Sequence, residues 1–115
     1  MTRRDLAPGT QAAQLTHAAI QFQKEHSDIQ NEWYFKSNYI ALLSTENEES
    51  LKQLLLKANI RGIKCSAFTE PDLANQLTAV AFEPGELTNK LCSSCPLAFK
   101  EFNKAFQEKE ITHGN

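Results

Sequence analysis

The stretch Arg3-Arg4-Asp5-Leu6-Ala7-Pro8-Gly9-Thr10-Gln11-Ala12-Ala13-Gln14-Leu15-Thr16-His17 decides how the chain is read. Met1 to Arg4 reads as a very short strand, and Pro8-Gly9 breaks any extended run and leads into a helix. From Thr10 to about Glu25 the period is helical: Ala12, Leu15, Ala19 and Phe22 fall on one apolar face, and Thr10, Gln14, His17 and Gln21 on the opposite, polar one. A strand that turns directly into a helix aims free backbone N–H groups at whatever lies above the sheet, a geometry suited to a phosphate or a developing oxyanion. The backbone of Gly9, Thr10 and Gln11 is therefore the expected anion site. Asp5, at the strand end, and Gln14 and His17, one and two turns into the helix, are the expected side-chain neighbours.

Working outward, Ser27 to Tyr34 reads as a short second helix anchored by Ile29 and Trp33. Tyr39-Ile40-Ala41-Leu42-Leu43 is a continuous apolar run, which predicts a strand covered on both faces. Thr45 with Glu48 three positions on fits a capping box for a helix buried through Leu51, Leu54, Leu55 and Ala58, with Gly62 as a left-handed stop. Ile63 to Thr69 and Leu77 to Phe82 read as strands around the turn Glu70-Pro71-Asp72, with a hairpin between them as one option. Glu86 to Leu91 reads as a short helix, and Phe99, Phe102 and Phe106 stand at helical spacing, as core or as a homodimer contact. Helices alternating with strands predict a single three-layer α/β domain, a small mixed sheet of about four strands with helices on both faces. The domain is expected over residues 1–99, with an amphipathic, frayed tail over 100–115.

The bulk figures narrow the function. At 115 residues, 41% hydrophobic and 23% charged, the chain is one ordinary globular domain. A net charge of -2 argues against a broad, sequence-independent grip on nucleic acid, while Arg3, Arg4 and Lys36 remain local candidates for the backbone of an RNA. No apolar run approaches the roughly 18 residues needed to cross a bilayer, so no membrane partner is expected. No signal peptide is visible, and three cysteines make no secreted disulfide framework, which points to the cytoplasm. Cys92-Ser93-Ser94-Cys95 has CxxC spacing but closes a helix rather than opening one. Neither a redox role, a metal site nor a cofactor is expected from it. The aromatic cluster Trp33-Tyr34-Phe35 could stack on bases, but such a cluster more often packs a helix onto a sheet.

Taken as a string, Arg4-Asp5-Leu6, Gly9, Ala12-Ala13-Gln14 and His17-Ala18-Ala19 resembles the opening signature of the type 2 peptidyl-tRNA hydrolase family, and the similarity extends over about residues 3 to 91. The resemblance implies four mixed strands flanked by helices. It also implies hydrolysis of the ester joining a peptide, or an aminoacyl group, to the 3′ end of tRNA. The site residues it carries over are Asp5, Gln14, His17, Asp72 and Thr78, with His17 or Asp72 orienting or deprotonating the water. Thr10 stands where the family has a lysine after its glycine, the segment between Asp72 and Thr78 is short, and little strand precedes Arg3. The alternative is a homologue that kept the fold and lost the chemistry, holding an RNA end or a protein partner.

Overall fold

The computed structural model describes residues 1–100 and Phe102. Its elements, in chain order, are β1 (Thr2–Arg3), α1 (Pro8–Glu25), α2 (Ser27–Lys36), β2 (Ser44–Thr45), α3 (Glu48–Ile60), β3 (Cys65–Glu70), a 3-10 turn (Pro71–Leu73), β4 (Gln76–Phe82) and α4 (Glu86–Leu91). The four strands form one mixed sheet in the order β2-β1-β4-β3. β1 runs parallel to β2 and antiparallel to β4, and β3 and β4 form an antiparallel hairpin. α1 lies over β3 and β4 on one face, and α3 packs against the other. The expected three layers and mixed sheet are there.

The core sits mainly between the sheet and α3. Leu51 and Ala58 of α3 meet Leu77 and Val80 of β4, with Ile63 and Leu91 beside them. α3 ends at Gly62, whose φ of 73° is the left-handed turn expected there, and the Ile63 N–H reaches back to the Ala58 carbonyl to close the helix. On the opposite face Ala18 and Phe22 of α1 are buried.

Five sequence expectations change. Tyr39 to Leu43 forms no strand: Leu43 makes a single bridge to Leu97, and Tyr39 and Ile40 are 77% and 64% exposed. The strand comes one step later, at Ser44–Thr45, because β1 offers only two residues of backbone to pair with. Thr45 belongs to that strand and does not cap α3; Asn47 does, its side chain accepting from the Ser50 N–H at 3.0 Å. The face of α1 is also rotated. Gln11, Gln14, Ala18 and Phe22 are its buried residues, whereas Ala12 and Ala19 are exposed. Pro8 starts the helix two residues earlier than expected, at a first-turn position where its missing N–H costs nothing. Finally, Phe99 has φ of 60°, so the aromatic stripe does not start inside a helix, and Phe106 lies outside the described residues.

One irregularity positions the site. The β3–β4 register runs Cys65↔Phe82 to Phe68↔Ala79, then shifts, so that Thr69 faces Leu77 and Glu70 faces Gln76. Thr78 is the extra residue of a β-bulge. Alternation is suspended there: Thr78 turns towards α1 while Leu77 and Val80 both serve the core on the α3 side.

Candidate active site

The polar residues gather at one edge of the sheet, where β1 ends, α1 begins, β3 ends and β4 begins. Two clusters form there, one on each face.

The first joins α1 to the hairpin. Gln14 is only 3% exposed and Thr78 is fully buried. The Thr78 hydroxyl donates to Gln14 Oε1 at 2.7 Å, with a longer alternative to the Phe68 carbonyl at 3.4 Å. Gln14 Nε2 in turn donates to Glu70 Oε1 at 3.1 Å. The chain of bonds fixes every role. A carboxylate only accepts, so the amide NH₂ must face Glu70 and its oxygen must face Thr78. The Thr78 hydroxyl is then held as a donor towards Gln14, leaving its lone pairs for another partner. His17 stands one turn further along α1, exposed, its ring stacked on Phe68 with centroids 4.6 Å apart and planes 8° apart. Ser66, Phe68 and Glu70 alternate along β3, so the ring that supports His17 and the carboxylate that holds Gln14 come from the same face of one strand.

The second cluster is built on Arg3. Its guanidinium forks onto Asp5, with Nε to Oδ1 at 3.0 Å and Nη2 to Oδ2 at 2.9 Å. Nη1 donates to Gln76 Oε1 at 2.8 Å and to the Leu77 carbonyl at 3.1 Å. The bidentate pair raises the guanidinium pKa and lowers that of the Asp5 carboxyl. Glu48, at the start of α3, adds to the field at Arg3 and accepts the Leu77 N–H at 2.8 Å. This cluster ties β1, β4 and α3 together around the bulge.

The head of α1 lies beside both. It carries no side-chain cap and no acidic residue in its first turn. The Gln11 N–H is used by the Ala7 carbonyl, which leaves the Gly9 and Thr10 N–H groups as the open donors of the expected anion site. Gln11 itself is buried: Nε2 donates to the Leu6 carbonyl at 2.7 Å, and Oε1 is without a partner among the described residues.

The sequence-derived candidates are thus distributed unevenly. Gln14 and Thr78 meet directly, and His17 joins them through Phe68. Gln14 does so from the buried face of α1, not from the polar face assigned to it. Asp5 is engaged by Arg3 on the other side of the sheet. Asp72 is exposed in the 3-10 turn, with no hydrogen bond or ion pair among the described residues. Of the three cations proposed for RNA, Arg3 is buried in its pair with Asp5 and Lys36 is paired with Glu32 at 2.8 Å, while Arg4 is exposed. Sequence reasoning missed Glu70, Gln76 and Glu48. Alternation from Ser66 through Phe68 carries the signal for Glu70, but the following Pro71 made it read as part of a turn. Burial pushes the thiols of Cys65, Cys92 and Cys95 up, against a reactive thiolate.

A three-layer α/β domain with an amide, a hydroxyl and a carboxylate locked together beside an open helix N-terminus has the parts that ester hydrolysis requires. The chain matches the family model for peptidyl-tRNA hydrolase PTH2 over residues 2–110, nearly its whole length, and belongs to that family. No curated protein matches it. No helix among the described residues is long and apolar enough to cross a membrane.

Proposed function

We propose that the protein hydrolyses the ester between a peptide, or an aminoacyl group, and the 3′ ribose of tRNA, at the edge of the sheet where α1 begins. The observation that carries this reading is the buried Glu70–Gln14–Thr78 chain in a member of this family. Water attacks the ester carbonyl, the bond from the acyl carbon to the ribose oxygen breaks, and a proton returns to that oxygen. The Gly9 and Thr10 N–H groups receive the oxyanion. Thr78, fully buried, acts as a positioning residue: its hydroxyl, committed as a donor to Gln14, fixes that amide beside the site. His17, exposed and oriented by Phe68, takes the proton. Glu70, the carboxylate bonded to Gln14, takes the role that the resemblance implied for Asp72. Of the three cations proposed for RNA, Arg4, exposed and without an ion pair among the described residues, is the one placed to meet the tRNA backbone.

The test is release of free tRNA from a peptidyl-tRNA. Thr78→Ala should lower kcat by about 10²–10³, the usual cost of one preorganised group, and His17→Ala should do the same. Asp72→Asn should change it little. Release no faster than in buffer would sink the enzymatic reading. A second reading, a binding module without chemistry, is favoured by Thr10 standing in place of the family's lysine. It predicts retention of tRNA on the protein with no release.

A further inference from the structure

The acidic side of the candidate site carries a charge that the fold does not neutralise. Glu70 is half-buried at the end of β3. Its backbone is held by the Asn75 N–H, which donates to the Glu70 carbonyl at 2.9 Å, and by its pairing with Gln76. Its Oε1 accepts from Gln14. A carboxylate has sites for about four hydrogen bonds, so Glu70 keeps acceptor capacity beyond that one. The ion pairs among the described residues use Asp5, Glu32 and Glu48, and none falls on Glu70.

Where this carboxylate stands relative to an acyl group follows from the packing of α1 on β3. His17 stacks on Phe68 and Gln14 bonds Glu70, so the helix runs antiparallel to the strand, and going back along α1 leads past Glu70 to the helix head. Helical side chains lean towards the N-terminus, which carries the Gln14 amide, and Glu70 with it, over the first turn. Thr10 lies one turn before Gln14, roughly 6 Å along the axis. In an acyl ester the carbonyl oxygen and the α-nitrogen stand roughly 3 Å apart. With a hydrogen bond of about 2.9 Å at each end, such a group spans the gap: its oxygen lies on the Gly9 and Thr10 N–H groups and its nitrogen on Glu70.

We infer that Glu70 is a specificity-determining residue that holds the α-ammonium of an aminoacyl ester, so that its charge favours esters with a free α-amine over their N-acylated forms. The inference rests on the hydrolase reading for its placement of the acyl carbonyl at the head of α1. Charge selects the ligand. The tRNA backbone is anionic and is repelled by an uncompensated carboxylate, and the cation that the reacting end brings is the α-ammonium. The amide nitrogen of a peptidyl group is a single neutral donor, whereas an ammonium brings three donors and the opposite charge. Asp72, exposed in the turn that follows, adds a field of the same sign as Glu70.

The test uses the full chain with alanyl-tRNA and N-acetyl-alanyl-tRNA, beside Glu70→Gln, which keeps an acceptor for Gln14 and removes the charge. The ratio of kcat/KM for the free-amine ester over the N-acetyl ester should fall by about tenfold in Glu70→Gln, the difference between an ion-paired and a neutral hydrogen bond. Glu70→Asp keeps the charge on a shorter stem and should hold that ratio within about threefold, whatever happens to the two rates. An unchanged ratio in Glu70→Gln, or an equal fall in Glu70→Asp, would overturn the proposal and leave hydrolysis standing. Binding of 3′-alanylamino-3′-deoxyadenosine, an uncleaved amide, followed by chemical-shift titration, separates the two readings. It should bind about tenfold tighter than its N-acetyl form, and Glu70→Gln should abolish the difference. That discrimination without hydrolysis of either ester would support the proposal and remove the enzymatic reading alone. Equal binding of the two forms would overturn the proposal.

Discussion

The two halves of the sheet are built from similar apolar runs and end differently. Leu77 to Phe82, with Gln76 before it, becomes a seven-residue strand paired along its length with β3. Tyr39 to Leu43 is no less apolar, yet it stays outside the sheet except at its last residue. The difference is the partner. β3 and β4 are joined by a short turn, so each brings the other its hydrogen bonds, whereas the 39–43 segment depends on β1, which supplies two residues. Apolar sequence says that a segment can be a strand; only an available ladder makes it one.

This contrast can be broken from either side. The largest effect is expected from Leu77→Ala, which opens a cavity under the paired half and should cost about 2–4 kcal/mol in denaturant unfolding. A loss below 1 kcal/mol would place the core elsewhere. Next comes acidification of the 115-residue chain. Burial lowers the Met1 ammonium pKa to about 6 from 8.0. The folded state therefore resists a proton that the unfolded chain accepts, and stability should fall by on the order of 2 kcal/mol as pH drops from 8 to 6. N-terminal acetylation should remove that dependence. The Asp5 carboxyl is shifted down as well, by its hydrogen bonds to Arg3, but here the fold favours the charged form. Asp5 stabilises the fold at neutral pH, and that contribution is lost only as pH falls through its lowered pKa. Asp5→Ala at pH 7 should cost about 1–2 kcal/mol by leaving the buried guanidinium short of acceptors. The smallest effect is expected in the unpaired half: Leu42→Ser should stay within about 0.5 kcal/mol. A large loss there would show the 39–43 segment to be structural after all.

The same contrast explains what was legible in the sequence. Pro8-Gly9, the helical period of α1, the Gly62 stop and the alternation of β3 are local signals, and they placed the elements correctly. The rotation of α1 was not legible, because Gln11 and Gln14 are amides that read as solvent-facing until Leu6, Thr78 and Glu70 are seen to satisfy them. Burying them is possible only because each finds a partner from a distant segment. The bulge was invisible for a related reason: nothing in Gln76-Leu77-Thr78-Ala79 departs from a regular strand until its partner is fixed. Gln14, Thr78 and His17 were therefore nameable from the string, while the carboxylate beside them was not.

The bulge also limits how the gene for this protein can change length. Removing Leu77 would restore regular alternation and swing Thr78 away from Gln14, and removing Thr78 would delete the hydroxyl itself, so a single codon deletion would take apart the cluster while leaving the hairpin paired. The adjoining turn has more latitude. Ala74 and Asn75, with φ of 53° and 58°, already sit in left-handed conformations at an exposed tip, where insertions are ordinarily absorbed. Variation in length should accumulate at Ala74–Asn75 and be absent two residues later.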